Sequence, residues 1–174
     1  MAKSRLIPKL QLYPSAIASG SLSIVNTVNF SKLVEIGNPV SQSKIYEAQL
    51  ADELILVDLS PSKGKTESDS NQLLETLKAV SREVFLPLTI GGGVKNIADV
   101  AEFLSHGADK VCMNSSVIER PSFISDVAKA FGSQCAVVSI DYKLNAEGCL
   151  EVYSNGGQMP TGLNPIKWAK KAED

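Results

Sequence analysis

The stretch Leu86-Pro-Leu-Thr-Ile-Gly-Gly-Gly-Val94 runs from a short apolar, strand-like segment directly into three consecutive glycines. A segment with helical periodicity begins two residues later, at Asn96. Glycine allows a positive φ and a close approach of the backbone to an anion, and a helix N-terminus adds unpaired N–H groups and a favourable dipole. The pattern indicates a phosphate-binding turn between a strand and a helix. The alternative is a tight turn in which the glycines only relieve steric crowding.

Four further segments have the apolar character of β-strands. They are Arg5–Leu12, Asp52–Leu59, Asp109–Asn114 and Gln134–Asp141. Segments that fit helices are Pro39–Ala51, Asp69–Arg82, Asn96–His106, Pro121–Phe131 and Pro165–Lys171. Strands that alternate with helices form a parallel sheet covered by helices, so the sequence predicts an α/β fold. Strand starts at residues 52, 86, 109 and 134 suit βα units, but they do not separate a barrel from an open sheet.

Two segments depart from this alternation. Residues 13–38 are rich in Ser and Asn and are predicted to form a long loop, within which Ile24, Val28 and Phe30 indicate a short hairpin. Residues 142–156 are predicted to form a hairpin. The chain has 174 residues, of which 44% are hydrophobic and 21% charged, and this predicts a single domain over residues 1–174.

Charge and hydropathy limit the partners that the chain can have. The formal net charge of −2 argues against nucleic-acid binding, which needs a basic face. The apolar runs are too short to cross a bilayer, and Pro8 lies where a signal peptide has its apolar core, so we expect a cytoplasmic protein without a membrane partner. Cys112, Cys135 and Cys149 are predicted to be buried thiols rather than disulfides, metal ligands or a nucleophile.

Polar residues collect where the predicted strands end. They are Gln11, Asp58, Gly91 to Gly93, Asn114 to Ser116, and Asp141. In a barrel and in an open sheet alike, a ligand is expected at this end. His106, the only histidine, lies in the last turn of a predicted helix that Gly107 ends, and it is predicted to face solvent rather than to act as a base.

Eight motifs occur in order between residue 5 and about residue 170. They are Arg5-Leu-Ile-Pro8, Val28-Asn-Phe30, Asp52-Glu-Leu-Ile-Leu-Val-Asp58, Pro87-Leu-Thr-Ile-Gly-Gly-Gly93, Gly107-Ala-Asp-Lys-Val111, Asn114-Ser115, Phe131-Gly-Ser-Gln134 and Ile140-Asp141. Together they resemble the cyclase subunit of imidazole glycerol phosphate synthase, a histidine biosynthesis family with paralogues in surface-polysaccharide gene clusters. The resemblance implies a TIM-type (βα)8 barrel, of which this chain contains about five βα units as a partial barrel.

The resemblance also implies an activity. A glutaminase subunit docked at the N-terminal face of the barrel releases ammonia, which crosses the barrel to the C-terminal face. There it reacts with a phosphorylated formimino aminoimidazole carboxamide ribonucleotide and yields imidazole glycerol phosphate. No cofactor and no metal is implied.

Carried over by position, the resemblance assigns roles to residues at the C-terminal face. Gly93, Asn114 and Ser115 form one phosphate site, Asp141 is a catalytic carboxylate, and Asp58 lies close to the substrate. Without the resemblance, Asp141 is interpreted as a turn-stabilising residue before the hairpin, and Asp58 as a cap of the following loop.

Four charged residues receive roles at the opposite face. Arg5, Glu53 and Lys110 belong to a ring that gates ammonia, and Asp109 faces the glutaminase. The alternative is that all four are ordinary surface or strand-end charges.

Two positions depart from the family pattern. Gln11 lies where the family has a second catalytic aspartate, and an amide cannot exchange a proton near neutral pH. Acid–base assistance worth roughly 100- to 10,000-fold would therefore be missing. Asn26 replaces a lysine that contacts substrate. These changes keep two alternatives open: a paralogue that supports ammonia-dependent amidine formation on a surface-polysaccharide sugar, or a catalytically impaired phosphate-binding scaffold.

The length is the other departure, because three of eight strand–helix units are missing. Two sheet edges and an apolar interior would then be uncovered. We expect a fragment, a truncated reading frame or a self-associating partial barrel, unless the strands remain an open sheet that only binds ligand.

Overall fold

Seven strands form the main sheet in the computed structural model, which describes residues 4–28, 32–60 and 67–173. They are β1 (Lys9–Pro14), β2 (Leu22–Val28), β3 (Lys32–Gly37), β4 (Leu54–Asp58), β5 (Leu88–Gly91), β6 (Lys110–Met113) and β7 (Ala136–Val138). Their order is β3-β2-β1-β4-β5-β6-β7. The neighbouring pairs β1–β4, β4–β5, β5–β6 and β6–β7 are parallel, whereas the pairs β1–β2 and β2–β3 are antiparallel. The α/β prediction with a mostly parallel sheet is therefore confirmed. Within the described residues the sheet is open, with β3 and β7 at its edges.

The described part of the chain also contains six α-helices. They are α1 (Pro39–Ala48), α2 (Glu67–Glu83), α3 (Ile97–Ser105), α4 (Ser115–Glu119), α5 (Ser122–Phe131) and α6 (Pro165–Glu173). All but α4 overlap the predicted helices. At five residues, α4 is too short to leave a periodic apolar pattern in the sequence.

The core lies on the face of the sheet that the helices cover. Strand residues in register on this face are buried, among them Leu10, Leu56, Ile90 and Val111. The helices contribute apolar residues to the same cluster, including Leu73, Leu77, Val80, Val100, Phe103, Phe123 and Val127. Burial of these apolar surfaces is the main favourable contribution to the stability of the fold.

The opposite face of the sheet is less completely covered. Gln11, Val57, Cys112 and Val137 share one row of the register with Gly91, and the four side chains are only half-buried. Although β4 is an unbroken apolar run up to Asp58, its residues alternate between buried and half-buried rather than being buried on both faces.

The long loop predicted for residues 13–38 is largely wrong, because most of it belongs to the sheet. β1 continues to Pro14, and β2 and β3 form an antiparallel hairpin that extends the sheet beyond β1. Leu22 and Ile24 lie opposite Pro14 and Leu12, where both are buried. The predicted short hairpin is thus a full pair of strands. Phe30, one of the residues that indicated it, lies outside the described residues.

The predicted strand Arg5–Leu12 begins later than expected. Asp52 and Ile55 already donate backbone hydrogen bonds to Leu6 and Pro8. Pro8 has no N–H to continue the ladder, and the regular strand starts at Lys9.

The predicted fifth strand is shorter than expected, and this changes the position of Asp141. β7 ends at Val138, and Asp141 is the first residue of β8 (Asp141–Leu144) rather than the end of a parallel strand. β8 pairs with β9 (Leu150–Ser154), which pairs with β10 (Met159–Pro160) in a separate three-stranded sheet. The hairpin predicted for residues 142–156 corresponds to β8 and β9.

The cysteines do not share one environment. Burial raises the pKa of the Cys112 and Cys135 thiols, as expected for buried groups. Cys149 is exposed, so the prediction of three buried thiols is wrong at this residue, which lies at the turn between β8 and β9. The ring of His106 is half-buried, and its Nδ1 lies 2.8 Å from the backbone carbonyl oxygen of Glu102. None of the described helices is both long and apolar enough to cross a membrane.

Two helices end in the same hydrogen-bonding motif with different residues at the critical position. In α3, Gly107 takes φ +104°, while Gly107 and Ala108 donate to the carbonyls of Leu104 and Phe103. This agrees with the predicted helix end. In α1 the equivalent residue is Leu50, which has φ +62° and donates to Glu47. A left-handed conformation is unfavourable for leucine, and the Leu50 side chain is 84% exposed.

A buried carboxylate joins the N-terminal ends of the strands. Glu53 precedes β4, is 6% exposed and accepts hydrogen bonds from Arg5 and from Lys110 at the start of β6. The Lys110 side chain is largely buried, whereas that of Arg5 is 57% exposed. Because Glu53 is buried, loss of its charge would leave two cations beside an uncharged group.

We expect Leu50→Gly to stabilise the protein by about 1 kcal/mol, since glycine adopts a positive φ without strain and little packing is lost. Chemical denaturation would measure the change. Leu50→Ala is the matched control: it keeps Cβ and therefore the strain, so it should give no gain. An equal gain in both variants would contradict the explanation by backbone strain.

We expect Glu53→Gln to destabilise the protein by about 2 kcal/mol, because Arg5 and Lys110 lose their shared carboxylate in a buried position. The free energy of unfolding measures this effect. Glu83→Gln removes one partner of the exposed Lys44–Glu83 ion pair and should cause no measurable change. If both variants lose the same stability, burial is not what distinguishes Glu53.

Candidate functional site at the C-terminal ends of the strands

The glycine turn after β5 folds tightly against the end of β4. Gly92 has φ +122°, and a Cβ atom there would lie 2.7 Å from both Cβ and the carbonyl oxygen of Asp58. Contacts that short are not tolerated, so this position requires glycine for steric reasons. Gly93 also has a positive φ, +78°. The steric interpretation therefore holds for Gly92, while the geometry of Gly93 is compatible with a turn that binds an anion.

The start of α3 contributes less to this turn than the sequence suggested. Asp99 accepts hydrogen bonds from the backbone N–H groups of Lys95 and Asn96, and the Asn96 side chain accepts from Asp99 in return. This capping box uses donors that had been expected to face an anion. A phosphate at this turn would have to rely on amides closer to the glycines.

Asp58 is buried at the end of β4, next to Gly92. Its Oδ1 accepts from the backbone N–H of Ser60 at 2.8 Å and from the Ser60 hydroxyl at 2.5 Å. The interpretation of Asp58 as a cap of the following loop therefore agrees with the observed contacts.

Asn114 and Asp141 are in direct contact. Asn114 Nδ2 donates to Asp141 Oδ2 at 2.9 Å, and this bond connects the end of β6 to the start of β8. The side-chain oxygen of Asn114, Oδ1, is closed off from solvent and has no hydrogen-bond partner among the described residues. A buried carbonyl without a partner costs roughly 1–3 kcal/mol.

Ser115 connects the site to the three-stranded sheet. Its Oγ accepts from the backbone N–H of Asn155, 2.9 Å away in the turn after β9. The same turn is fixed by Lys143, which donates to the carbonyl of Gly157 and lies over the ring of Tyr153. This contribution of Asn155 was not predicted, although Asn155-Gly156-Gly157 is a recognisable turn signal.

Gln11 lies at the same end of the sheet but in a different environment. It is half-buried on β1, and its Oε1 lies 3.2 Å from the hydroxyl of Thr27 on β2. Three strands separate β1 from β7 in the sheet order. Asn26, the other departure, is exposed on β2. The fold thus places Gln11 and Asp141 at one end of the sheet, but the described contacts join only Asp141 to Asn114.

At the opposite end, three of the four charged residues predicted from the resemblance come together. Arg5 and Lys110 both contact Glu53, as described above. Asp109 is exposed, and its Oδ2 accepts from the backbone N–H of Leu88 at 2.8 Å, which fixes the start of β5. The interpretation of Asp109 as a strand-end charge therefore accounts for this contact. The residue remains accessible at the surface.

An apolar groove of about 460 Å³ lies away from the glycine turn, between the β8–β9 hairpin and α6. Ile140, Tyr142, Leu150 and Ile166 are among its lining residues. None of the residues assigned from the resemblance lines it. We therefore locate the candidate site from the polar residues at the strand ends and not from this groove.

Comparison with known proteins agrees with these observations. A family model described as "Histidine biosynthesis protein" matches residues 16–174. The chain is 39% identical to the "Imidazole glycerol phosphate synthase subunit HisF" of Gluconacetobacter diazotrophicus, over 98% of this chain and 62% of that protein. The subunit of the same name from Lactococcus lactis subsp. cremoris is 41% identical, over 99% of this chain and 63% of the relative.

A third relative with this name, from Alkaliphilus metalliredigens, is 37% identical over 98% of this chain and 64% of its own length. The chain thus spans slightly less than two thirds of the length of these curated relatives. Since the family model matches nearly all of the described chain, the chain belongs to the histidine biosynthesis protein family.

Proposed function

We propose that this chain is a cyclase-type subunit of histidine biosynthesis, which acts in the cytoplasm. It would use glutaminase-derived ammonia to convert a phosphorylated formimino aminoimidazole carboxamide ribonucleotide to imidazole glycerol phosphate. Its resemblance to the HisF subunits over nearly the whole chain supports this assignment. The structural observation that carries it is the cluster at the C-terminal ends of β5 and β6, where Asn114 contacts the carboxylate of Asp141.

The phosphate of the substrate would bind between the glycine turn and the end of β6. Gly93 has the positive φ that such a turn needs, and Asn114 and Ser115 follow the neighbouring strand. The Ser115 hydroxyl accepts a hydrogen bond from Asn155, which leaves its own proton to donate to a phosphate oxygen. Asp58 would lie close to the substrate on the β4 side.

Acid–base chemistry would depend on Asp141. Its partner in the family is an aspartate, where this chain has Gln11, and an amide cannot transfer a proton near neutral pH. We therefore expect a turnover rate roughly two to four orders of magnitude lower than with a pair of carboxylates.

The glutaminase would dock at the N-terminal end of the strands. Arg5, Glu53 and Lys110 would form part of the ammonia gate there, and Asp109 would face the partner. Two large apolar side chains are exposed near this end, Phe85 at 95% and Leu50 at 84%. Phe85 donates its backbone N–H to the Glu47 side chain, and Leu50 donates to the Glu47 carbonyl, so both adjoin one residue. Exposed apolar groups that lie together are typical of a protein-binding surface.

The five parallel strands would be the first five strands of a (βα)8 barrel, in a single domain over residues 1–174. The half-buried face that carries Val57, Cys112 and Val137 would become the barrel interior. The greater length of the relatives supports this interpretation. Self-association of two partial barrels would cover the same face.

A second candidate function is ammonia-dependent amidine formation on a surface-polysaccharide sugar. Gln11 and its contact with Thr27 favour it, since they replace a carboxylate by a neutral hydrogen-bonding pair. A non-catalytic phosphate-binding scaffold is the alternative if neither reaction occurs.

We expect Gln11→Asp to increase ammonia-dependent turnover of the formimino ribonucleotide by roughly 100-fold, since it restores a group that can exchange protons. Asp141→Asn should abolish turnover in both backgrounds. Gln11→Asn keeps the amide and is the matched control, for which we expect no gain. Absence of turnover in the parent chain and in Gln11→Asp would reject the cyclase function.

We expect Phe85→Ser to weaken binding of a glutaminase subunit of imidazole glycerol phosphate synthase at least tenfold, as loss of a large apolar contact in an interface does. Isothermal titration calorimetry would measure this affinity. Ile17→Ser is the control, because Ile17 is 87% exposed and follows the C-terminal end of β1, at the other end of the sheet. Equal weakening by both variants, or by neither, would contradict docking at the N-terminal end.

A further inference from the structure

We infer that the side chain of Asn114 is a positioning residue for Asp141 and not a phosphate ligand. This inference rests on the proposed function and refines one of its assignments. It starts from the 2.9 Å hydrogen bond between Asn114 Nδ2 and Asp141 Oδ2, two residues that are 27 positions apart in the sequence. Asp141 does not belong to the parallel sheet. The side chain of Asn114, the residue after β6, therefore determines where the carboxylate of Asp141 points.

The orientation of the Asn114 amide is fixed by this partner. Rotation of the amide by 180° would bring Oδ1 towards Asp141 Oδ2, and two acceptors would then face each other without a proton between them. The observed orientation instead leaves Oδ1 buried without a partner among the described residues. The hydrogen bond to Asp141 is therefore what favours this orientation of the amide over the rotated one.

The same geometry makes the Asn114 side chain a poorer phosphate ligand than the hydroxyl of Ser115. Phosphate oxygens accept hydrogen bonds, so a ligand side chain must offer a donor. Asn114 directs one of its two amide N–H groups at Asp141, and its Oδ1 is an acceptor that solvent does not reach, so at most one N–H is left to donate. Ser115 differs, because its hydroxyl accepts from Asn155 and keeps a proton to donate. The phosphate role thus falls to Ser115 and to the backbone around Gly93.

Positioning differs from simple anchoring of the β8–β9 hairpin in what it predicts. The hairpin has a second anchor, from Asn155 to Ser115, that does not involve Asp141. If Asn114 only holds the hairpin, loss of either anchor should have similar consequences. If Asn114 positions the carboxylate, its loss should affect the chemical step and leave phosphate binding unchanged.

The first test is the side-chain amide signal of Asn114 in ¹H–¹⁵N NMR spectra of the full chain, assigned by its disappearance in Asn114→Ala. Asp141→Asn should move this signal by more than its line width, because the charged acceptor is lost. Asp126→Asn removes a carboxylate on α5 whose side chain is 45% exposed, and it should leave the signal in place. An Asn114 signal that Asp141→Asn does not move would overturn the inference, whether or not the chain is active.

The second test separates the two roles by affinity for inorganic phosphate. Asn114→Ala should leave the dissociation constant within about twofold of the parent, whereas Ser115→Ala should raise it about tenfold, the loss expected for one hydrogen bond to a charged group. Equal weakening by the two variants would make Asn114 a phosphate ligand. If the parent chain binds no phosphate, the proposed phosphate site fails, and the NMR result alone decides the inference.

The third test uses turnover in the Gln11→Asp background. Asn114→Ala should lower kcat with little change in KM, because the carboxylate of Asp141 is present but no longer held in place. Asn114→Leu keeps a similar side-chain volume without the donor or a charge and should match Asn114→Ala, which controls for a packing defect. An unchanged kcat, or a rise in KM alone, would contradict positioning.

Discussion

Parallel pairing of β1, β4, β5, β6 and β7 is the constraint on which the rest of this structure depends. Because all five strands run in one direction, their C-terminal ends meet at one edge of the sheet and their N-terminal ends at the other. The first edge collects Gln11, Asp58, the glycine turn and Asn114. The second collects Arg5, Glu53 and Lys110. The two groups of residues are thus separated by the length of the strands, which is the geometry that a gate at one end and a reaction at the other require.

The C-terminal end of the parallel strands, where the candidate site lies, depends on a part of the chain that does not belong to this sheet. β7 stops after three residues, and Asp141 begins a separate antiparallel sheet. The position of Asp141 therefore follows from contacts between the residues after β6 and the three-stranded sheet, namely Asn114 with Asp141 and Ser115 with Asn155. These two hydrogen bonds attach the three-stranded sheet to the end of β6. They also bring the proposed acid–base group and the proposed phosphate site into one neighbourhood.

The surface of the chain is consistent with a component of a larger assembly. The sheet face opposite the helices is only half-buried, and large apolar side chains such as Phe85 are exposed at the N-terminal end. Leu50 adds an unfavourable backbone conformation to its exposure, at a helix end where α3 has glycine. Neither feature stabilises the described chain by itself. The proposed partners, a glutaminase at the N-terminal end or further strands on the open face, would cover these surfaces.

Local residue patterns determined most element types: apolar runs specified the parallel strands but not β2 and β3, amphipathic spacing specified most helices, and Gly107 marked a helix end. The ends of β4, β5 and β6 were also predictable, since the end of an apolar run can be read directly, whereas the end of β7 was not. The sequence could not specify which of these residues touch, because Asn114 and Asp141 meet only through the path of the chain between them. Nor could it separate a steric glycine from a ligand-binding one: only the 2.7 Å approach of Asp58 distinguishes Gly92 from Gly93. Tertiary structure decided these points because packing distances and hydrogen-bond partners arise between segments that are remote in sequence.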